Sequence, residues 1–533
     1  MDGALGVPGG AGTGMRATVG RAALLILAAT LFGRILGLVR DQTVAYFFQA
    51  ADTDAFFLAY KVPYLVALSA AAAMTATFIP VFTQRYVTGR KEEAWRLSIS
   101  LLNLTGLVLI GVVAITVPLA PWLIPLVGPG FGADTSARAV DLFRILMPLV
   151  VFTGLAGLAA GILNSLKRFG LPAFSTSLGA LVTIVFIVAS HEQWGVTGLA
   201  LGTTVGAAVS FFVLWPQLHR GGLRYRASIR WDDPGLRDVA GMIWPVLLGS
   251  AVGKVSIFAD QVLGSFLESG SISALNYSEK LFQLPLGLFV AGITVPLFPL
   301  LSEHVAAREP ERLKTTLGFG LRMIAFVMVP ASAGLIVLRT PIVMLLFQHG
   351  EFGAEDTTRT AWALLFYSFG LFSYAGRDTL TRVFYAYHDT RTPVKISMVA
   401  VVLNITVSYV LMQFLGVGGL ALGTSIALTV NFIVLIELLR RKIGPMGFGA
   451  LARSSARIAA AAAVMTVEVV LLDRWLAGVV QAGDAGLGLR VGLGIGGGAV
   501  TYFIAARVGR LPELPEVVSM LSAAAGRRGK RSS

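Results

Sequence analysis

Long apolar segments follow one another along the chain, and this pattern restricts its possible folds more than any other feature. The segments of about twenty apolar residues are each long enough to cross the ~30 Å hydrocarbon core of a bilayer as a helix. Only 14% of the 533 residues are charged and 55% are hydrophobic, whereas about a quarter of the residues in a soluble domain are charged. The sequence therefore predicts an all-α polytopic membrane protein.

Hydropathy predicts about fourteen transmembrane helices. The predicted spans lie near 20–41, 54–82, 97–124, 139–164, 171–190, 195–217, 238–265, 272–300, 315–338, 357–386, 393–414, 417–439, 454–476 and 487–508. We expect an N-terminal tail at 1–19, an N-terminal lobe of six spans at 20–218, a connection at 219–237, a C-terminal lobe of six spans at 238–442, two further spans within 443–510, and a basic tail at 511–533.

Basic residues predict the orientation of these spans. They collect in alternate connections, for example at Arg85 and Arg90 and again at Arg224 and Arg230, whereas the opposite connections are poor in basic residues. Because cytoplasmic connections carry the excess of Lys and Arg, both termini are predicted to be cytoplasmic in a bacterial inner membrane. The basic tail, which ends in GRRGKRSS, is interpreted as a topology signal rather than a partner site.

The first six predicted spans recur as the next six. GVTGLALGTTVG from Gly195 returns as GVGGLALGTSIA from Gly416, an offset of 221, and Pro172 matches Pro393 at the same offset. An even number of spans returns the chain to the same side, so the two lobes are predicted to share one orientation, with a substrate path between them. The last two spans lie outside the repeat and are rich in the small residues that allow close helix packing.

Several charged residues fall within predicted spans, where an ion is costly unless it faces a protein interior or a water-filled cavity. The repeat pairs Arg34 with Lys254, Asp41 with Asp260, and Lys61 with Lys280. Matching cations in the two lobes predict a central cavity for an anionic substrate, since Arg can hold a phosphate with two parallel hydrogen bonds. The candidate substrate-binding residues are Arg34, Arg40, Asp41, Asp54, Lys61, Lys254, Asp260, Glu279, Lys280 and Arg377.

Simpler roles explain other polar residues within the predicted spans. Asp378 and Arg382 are spaced for an ion pair along one helix, which would only hold that helix together. Asn404 and Ser408 lie one helical turn apart and are a weak candidate for binding a coupling cation, but helix packing explains them equally well. The energy source, whether Na⁺, H⁺ or the membrane potential, stays open at this point.

Catalytic functions find little support in the sequence. There is no cysteine, and the five histidines form no paired metal-ligand spacing. P-loop, GxSxG and HExxH motifs are absent. We therefore expect no catalytic residues, no metal, no cofactor and no nucleic-acid partner, and we expect the chain to act as a monomer rather than as an enzyme such as a membrane glycosyltransferase.

The stretch GRILGLVRDQTVAYFFQAADTDAFFLAYKVP, from Gly33, resembles the first two helices of the MurJ (MviN) lipid II flippases in the multidrug/oligosaccharidyl-lipid/polysaccharide exporter superfamily. SGSISALNYSEKLFQLPLGLF, from Ser269, resembles the eighth span of that family, and GVGGLALGTS resembles its twelfth. The resemblance implies fourteen spans and transport of undecaprenyl-pyrophosphate-linked peptidoglycan precursor (lipid II) between leaflets by alternating access. It also implies a cationic cavity, and a groove at the last two helices for the lipid tail.

The resemblance assigns functional positions to Arg34, Arg40 and Asp41 on the first span, to Asp54 and Lys61 on the second, and to Lys280 on the eighth.

Two stretches depart from the family pattern. Tyr64, Ala67 and Leu68 stand where many members carry Asn and then a pair of arginines, and Glu279-Lys280 replaces Asp-Arg. A flippase for another undecaprenyl-pyrophosphate glycan, such as a capsule or O-antigen unit, is therefore an alternative. A cation-coupled drug exporter is a more distant alternative, since it would need an acidic cavity.

Overall fold

The computed structural model describes residues 32–287, 291–445, 448–479 and 483–519, and all their regular secondary structure is helical. The predicted N-terminal tail at 1–19 and the part of the basic tail from residue 520 lie outside these ranges. The helices are α1 (32–47), α2 (Ala50–Val87), α3 (Lys91–Val127), α4 (Ala133–Leu146), α5 (Leu149–Ser165), α6 (Gly170–Phe212), α7 (Trp215–Gly221), α8 (Pro234–Gly264), α9 (Ser271–Pro285), α10 (Ala291–Ala306), α11 (Pro310–Phe347), α12 (Ala354–Ser368), α13 (Leu371–Ala386), α14 (Arg391–Leu415), α15 (Val417–Ile443), α16 (Phe448–Val479) and α17 (Asp484–Val508).

Nine helical segments among the described residues are long and apolar enough to cross a membrane. The segment Gly170–Gly221 contains a break at Gly195, where φ is 50° and ψ is −137°, and this break separates the predicted spans 171–190 and 195–217. The predicted all-α polytopic membrane fold is confirmed, while the total of fourteen spans stays a prediction.

Two predicted spans contain breaks that the hydropathy does not reveal. The span predicted at 139–164 is divided into α4 and α5 near Pro148, and the span predicted at 357–386 is divided into α12 and α13 near Phe369. These two positions are 221 residues apart, the offset of the sequence repeat. The breaks are therefore a property of the repeated unit.

The backbone repeats the sequence duplication in fine detail. Gly416 adopts φ 55° and ψ −130°, nearly the conformation of Gly195 at the equivalent position. Lys167, just after α5, and His388, just after α13, both have a left-handed backbone, with φ of 60° and 56°, and are also 221 residues apart. The duplicated sequence thus specifies the same turns twice.

The described residues form two compact units that divide between Ala251 and Val252, within α8. The N-terminal unit contains a core with Phe78, Phe82, Leu214 and Leu218, all buried. The C-terminal unit contains a core built from the equivalent positions of the repeat, including Leu297, Leu301, Leu435 and Leu439. Burial of large apolar side chains at matching positions stabilises each unit in the same way. The predicted domain boundaries themselves stay predictions.

Candidate functional site

Arg40 and Asp41 form a buried ion pair on α1 in the N-terminal unit. The Arg40 Nε and Nη2 atoms both donate to Asp41 Oδ1, at 3.1 and 2.8 Å. Asp41 is 2% exposed, whereas a quarter of the Arg40 side chain is exposed. The carboxylate therefore fixes one edge of the guanidinium group, and a guanidinium group has further N–H donors that a second anion can accept from.

A ladder of aromatic rings on α2 lies beside this pair. Phe56 stacks on Tyr60 with ring centroids 5.6 Å apart, and Tyr60 stacks on Tyr64 at 5.2 Å. The Tyr60 side chain lies close enough to the Arg40 guanidinium group to interact with it electrostatically. The rings recur every four residues, so they form one stripe along the helix. Tyr60, in the middle of this stripe, is the ring that interacts with Arg40.

The other N-terminal candidates differ in burial. Asp54, near the start of α2, is 3% exposed, and Lys61 is half-buried two turns further along the same helix. Arg34 is exposed on α1. The structure thus brings Arg40 together with Asp41, and the expectation that Arg34 shares a role with them stays a prediction.

Four candidates of the C-terminal unit lie on three helices. Lys254 on α8 and Lys280 on α9 are half-buried. Glu279 accepts a hydrogen bond from Gln283 Nε2 at 2.9 Å. The guanidinium carbon of Arg377, on α13, lies 5.9 Å from the ring centroid of Tyr374, one turn away.

The spacing of Asp378 and Arg382 predicts a pair along one helix, and Arg382 Nε lies 3.1 Å from Asp378 Oδ2. The prediction that the cations of both lobes face one cavity stays a prediction.

Oxygen atoms from α8, α14 and α15 cluster in the C-terminal unit. Asn404 Nδ2 donates to Thr424 Oγ1 at 3.1 Å and to Ser408 Oγ at 3.4 Å, and Thr424 Oγ1 donates to Asp260 Oδ2 at 3.4 Å. Asn404 and Ser408 are 2% and 0% exposed. The Leu420 carbonyl oxygen accepts from both hydroxyl groups. Such a set of carboxylate, hydroxyl and carbonyl oxygens suits a hard cation.

One acceptor in this oxygen cluster is unsatisfied. Asn404 Oδ1 is buried and accepts no hydrogen bond within the ranges that the structure describes. A buried acceptor without a partner costs about 1–3 kcal/mol, and a bound cation would remove that cost. The sequence pointed to Asn404 and Ser408 but missed Thr424, although Thr424 belongs to the repeated motif GLALGTS and so could have been singled out.

An apolar cavity of about 600 Å³ lies between α11, α16 and α17 in the C-terminal unit. Its lining includes Phe326, Leu338, Met465, Gly494 and Tyr502. The Tyr502 hydroxyl donates to the Phe326 carbonyl oxygen at 2.8 Å, so it leaves the cavity wall apolar. The cavity lies at the last two predicted spans, where the family resemblance places a groove for a lipid tail.

An acidic residue within an apolar helix was not predicted from the sequence. Glu468 lies well inside α16, and its Oε2 atom is buried without a hydrogen-bond partner among the described residues. Gly497 on α17 provides the space beside it, since a Cβ atom there would lie 3.0 Å from Glu468 Oε1. The rule that marks intramembrane ions as functional candidates applies to Glu468 as much as to Asp41.

Metal centres built from acidic and histidine side chains are not seen in the part of the chain that the structure describes. Among the residues that the structure describes, no three His, Asp or Glu side chains group closely enough to hold a metal ion.

Comparison with known proteins relates most of the chain to one family. The sequence model of the family described as lipid II flippase MurJ matches residues 43–482. The probable lipid II flippase MurJ of Vibrio cholerae is 32% identical over 499 residues, which cover 89% of this chain and 94% of that protein. The lipid II flippase MurJ of Burkholderia cenocepacia is 30% identical, covering 79% of this chain and 84% of that protein.

Solved structures share the fold. A lipid II flippase MurJ in an inward closed conformation matches with a TM-score of 0.76 at 24% identity, covering 91% of this chain and 98% of that one. An inward-facing multidrug resistance transporter of the MATE family matches with a TM-score of 0.69 at 15% identity, covering 81% and 99%. The sequence relationship and the shared fold agree, and this chain is a multi-pass inner-membrane protein that belongs to the lipid II flippase MurJ family.

Proposed function

We propose that the chain is a lipid II flippase, which moves the undecaprenyl-pyrophosphate-linked peptidoglycan precursor from the inner to the outer leaflet for cell wall synthesis. The observation that carries the proposal is the similarity over most of the chain to proteins named lipid II flippase. Translocation proceeds by alternating access and needs no bond-making step, so the chain acts as a transporter and not as an enzyme. It works as a monomer within the lipid bilayer and binds no nucleic acid.

Arg40 is the residue that we assign to the pyrophosphate. Asp41 holds its guanidinium group in place with two hydrogen bonds, and a quarter of the side chain stays exposed. A cation that is fixed before the substrate arrives loses little side-chain entropy on binding. The paired acid also lowers the cost of keeping a charge within the membrane while the site is empty.

Genetic complementation tests the proposal. The chain should restore growth when the lipid II flippase of a bacterial host is depleted, and the Arg40→Ala variant should fail although it reaches the membrane in normal amounts. An inserted, correctly folded wild-type protein that does not restore growth would contradict the assignment of lipid II as the substrate.

Another undecaprenyl-pyrophosphate glycan is the second candidate, because Tyr64 and Leu68 replace polar and basic positions of the family pattern. Both side chains are exposed, at 38% and 44%, so they are available to a substrate. Rescue of a strain that lacks a capsule or O-antigen flippase, together with failure to replace the lipid II flippase, would establish this candidate over the first.

A coupling cation is proposed at the oxygen cluster of Asp260, Asn404, Ser408 and Thr424. Na⁺ fits the carboxylate, hydroxyl and carbonyl donors, and its binding would satisfy the buried Asn404 Oδ1 atom. Stabilisation against heat by NaCl but not by choline chloride should be present in the wild type and absent in Asn404→Ala. Equal stabilisation of the two proteins would exclude the cluster, leaving H⁺ or the membrane potential as the driving force.

A further inference from the structure

We propose that residues 220–231, which we call the arginine strap, bind the phosphate groups of anionic phospholipids at the membrane surface. The strap has the sequence RGGLRYRASIRW and belongs to the N-terminal unit. This inference is independent of the substrate that the protein transports. The proposed orientation of the spans places the strap on the cytoplasmic leaflet.

The backbone of the strap is fastened along α3. Asn103 Nδ2 donates to the carbonyl oxygens of Arg226 and Ser228, at 2.9 and 3.0 Å. The backbone N–H of Arg230 donates to Ser100 Oγ at 3.1 Å. Ser100 and Asn103 lie one turn apart on the helix, so they hold two successive parts of the strap. The strap therefore has a defined path, unlike a loop that is tethered only at its ends.

Apolar side chains of the strap point into the protein. Leu223 is 1% exposed within the core of the N-terminal unit, and Ile229 packs against the same core. Tyr225 stays partly exposed, and its ring contacts Trp215 edge-on, with ring centroids 5.4 Å apart. Just beyond the strap, Asp233 receives two hydrogen bonds from Arg85, at 2.7 and 3.0 Å. These contacts set which side chains remain on the outside.

The outer side carries four arginines and no acid. Arg220, Arg224, Arg226 and Arg230 are all exposed. None of their guanidinium groups forms an ion pair or donates a hydrogen bond to any residue in the described part of the chain. Four guanidinium groups are thus displayed on a fixed backbone without protein acceptors.

Several other exposed arginines of this protein differ, because acidic side chains pair with them. Arg312 pairs with Glu309 at 3.2 Å, and both Arg440 and Arg441 pair with Glu437, at 3.5 and 3.2 Å. A topology signal requires only that basic residues lie on the cytoplasmic side, whether or not acidic residues pair with them. The strap arginines are therefore available to an external anion.

Aromatic residues and the position on α3 place the strap at the level of lipid headgroups. The long apolar run of α3 begins at Leu101, next to the serine that holds the strap. Trp231 is 63% exposed and Tyr225 is 48% exposed. Tyr and Trp collect at the membrane–water interface, where phosphate groups lie.

A guanidinium group binds a phosphate with parallel hydrogen bonds. Arginines spread over eleven residues beside an exposed Trp fit a row of phospholipids better than one soluble phosphate.

Lipid binding to the purified, delipidated full-length protein tests the inference. Native mass spectrometry would measure its affinity for phosphatidylglycerol and for phosphatidylcholine, with and without inorganic phosphate. The Arg224→Gln/Arg226→Gln/Arg230→Gln variant should bind phosphatidylglycerol on the order of 100-fold more weakly, since each arginine near an anionic surface contributes about fivefold. Phosphatidylcholine binding should not change.

A matched control removes the same charge elsewhere. Arg312→Gln/Arg440→Gln/Arg441→Gln deletes three exposed arginines that have acidic partners, and it should keep the wild-type affinity. Equal losses in the two triple variants would reduce the effect to net charge and overturn the proposal, as would an unchanged strap variant. Competition by millimolar inorganic phosphate would instead make the strap a site for soluble phosphate, which also overturns it.

A fluorescent probe on the strap gives a second measurement that does not depend on removing charges. The chain has no cysteine, so Ala227→Cys provides a single labelling position on the exposed part of the strap. In reconstituted vesicles, brominated phosphatidylglycerol should quench the probe more strongly than brominated phosphatidylcholine. Equal quenching by the two lipids would contradict the proposed preference for an anionic headgroup. Thermal unfolding of each variant checks that the fold is kept.

Discussion

At the scale of single residues, the neighbours of an intramembrane ion decide what it can do. Arg40 is fixed by two hydrogen bonds to Asp41, and a quarter of its side chain stays exposed, as the proposed contact with an anion requires. Arg382 is held by Asp378 within its own helix, and both side chains are more than a third exposed. The first arrangement is typical of a preorganised binding site, and the second is typical of a solvent-exposed ion pair within one helix.

A double substitution separates the structural role of the Arg40–Asp41 pair from its functional role. Arg40→Ala should destabilise the protein by about 2 kcal/mol, because buried Asp41 loses two charged hydrogen bonds. Arg40→Met/Asp41→Leu should recover most of that stability, since replacing a whole buried ion pair with apolar groups is nearly neutral. It should still fail in complementation.

Thermal unfolding in detergent and growth of the depleted strain give the two readouts. Normal growth with the stable double variant would show that the pair only supports the fold.

Asp233 connects the strap region to α2 and introduces a pH dependence. Burial opposes ionisation of this carboxyl group, but hydrogen bonds from Arg85 and from the Gly235 backbone outweigh it and lower the Asp233 pKa below 3.8. A lowered pKa stabilises the folded state above the unfolded value, and this contribution is lost as the pH falls below about 3.8 towards the folded value.

We expect Asp233→Asn to destabilise the protein by about 1 kcal/mol near neutral pH. The difference from wild type should shrink below about pH 4, as thermal unfolding at several pH values would measure. Asp232→Asn is the control, because Asp232 is exposed and makes no ion pair among the residues described. A constant difference across the acid range would contradict the role of ionised Asp233.

At the scale of helices, the breaks matter as much as the apolar runs. Gly195 and Gly416 interrupt the chain with positive φ and strongly negative ψ, a conformation that side chains with a Cβ atom rarely adopt. Each break allows two helices to run back against each other, as α14 and α15 do around Gly416.

Substitution of either glycine should therefore introduce backbone strain. Gly195→Ala and Gly416→Ala should each cost about 2 kcal/mol of stability, although a Cβ atom at either position would meet no atom within 4 Å. Gly492→Ala is the matched control, because Gly492 lies inside α17 and its Cβ atom would also meet open space. Alanine there should be neutral or slightly stabilising. Similar melting temperatures for all three variants would contradict the strain argument.

At the scale of the whole molecule, the duplication preserves the fold and changes the chemistry. Both units carry the same helix breaks and equivalent apolar cores. Asn404 and Ser408 of the oxygen cluster correspond to Thr183 and to the buried Ile187, which cannot supply the same oxygens. A duplicated scaffold has thus kept its packing while only one copy carries the oxygen cluster.

The orientation proposed for the chain can be measured because the sequence lacks cysteine. Single cysteines at Thr88 and Ala227 should react with a membrane-impermeant thiol reagent only in inverted vesicles, whereas cysteines at Asp134 and Glu351 should react in intact spheroplasts. All four positions are exposed, so access depends on the side of the membrane. The opposite labelling pattern would reverse the proposed topology and place the strap on the outer leaflet.

By itself, the sequence determined the features that depend on local pattern: the helical membrane fold, the duplication, and the break at Gly195. Hydropathy and repeat offset are properties of neighbouring residues, so they need no knowledge of packing. The divisions at Pro148 and Phe369 were missed because the apolar character continues through them.

Only the tertiary structure decided which polar groups meet. It joined Thr424 to Asn404 across two helices, and it left the strap arginines without protein partners. These outcomes depend on contacts between residues far apart in the chain, where the approach of helices selects one partner among several with the same chemistry. Such contacts decide whether a charged side chain is available to bind a ligand or is held in a structural ion pair.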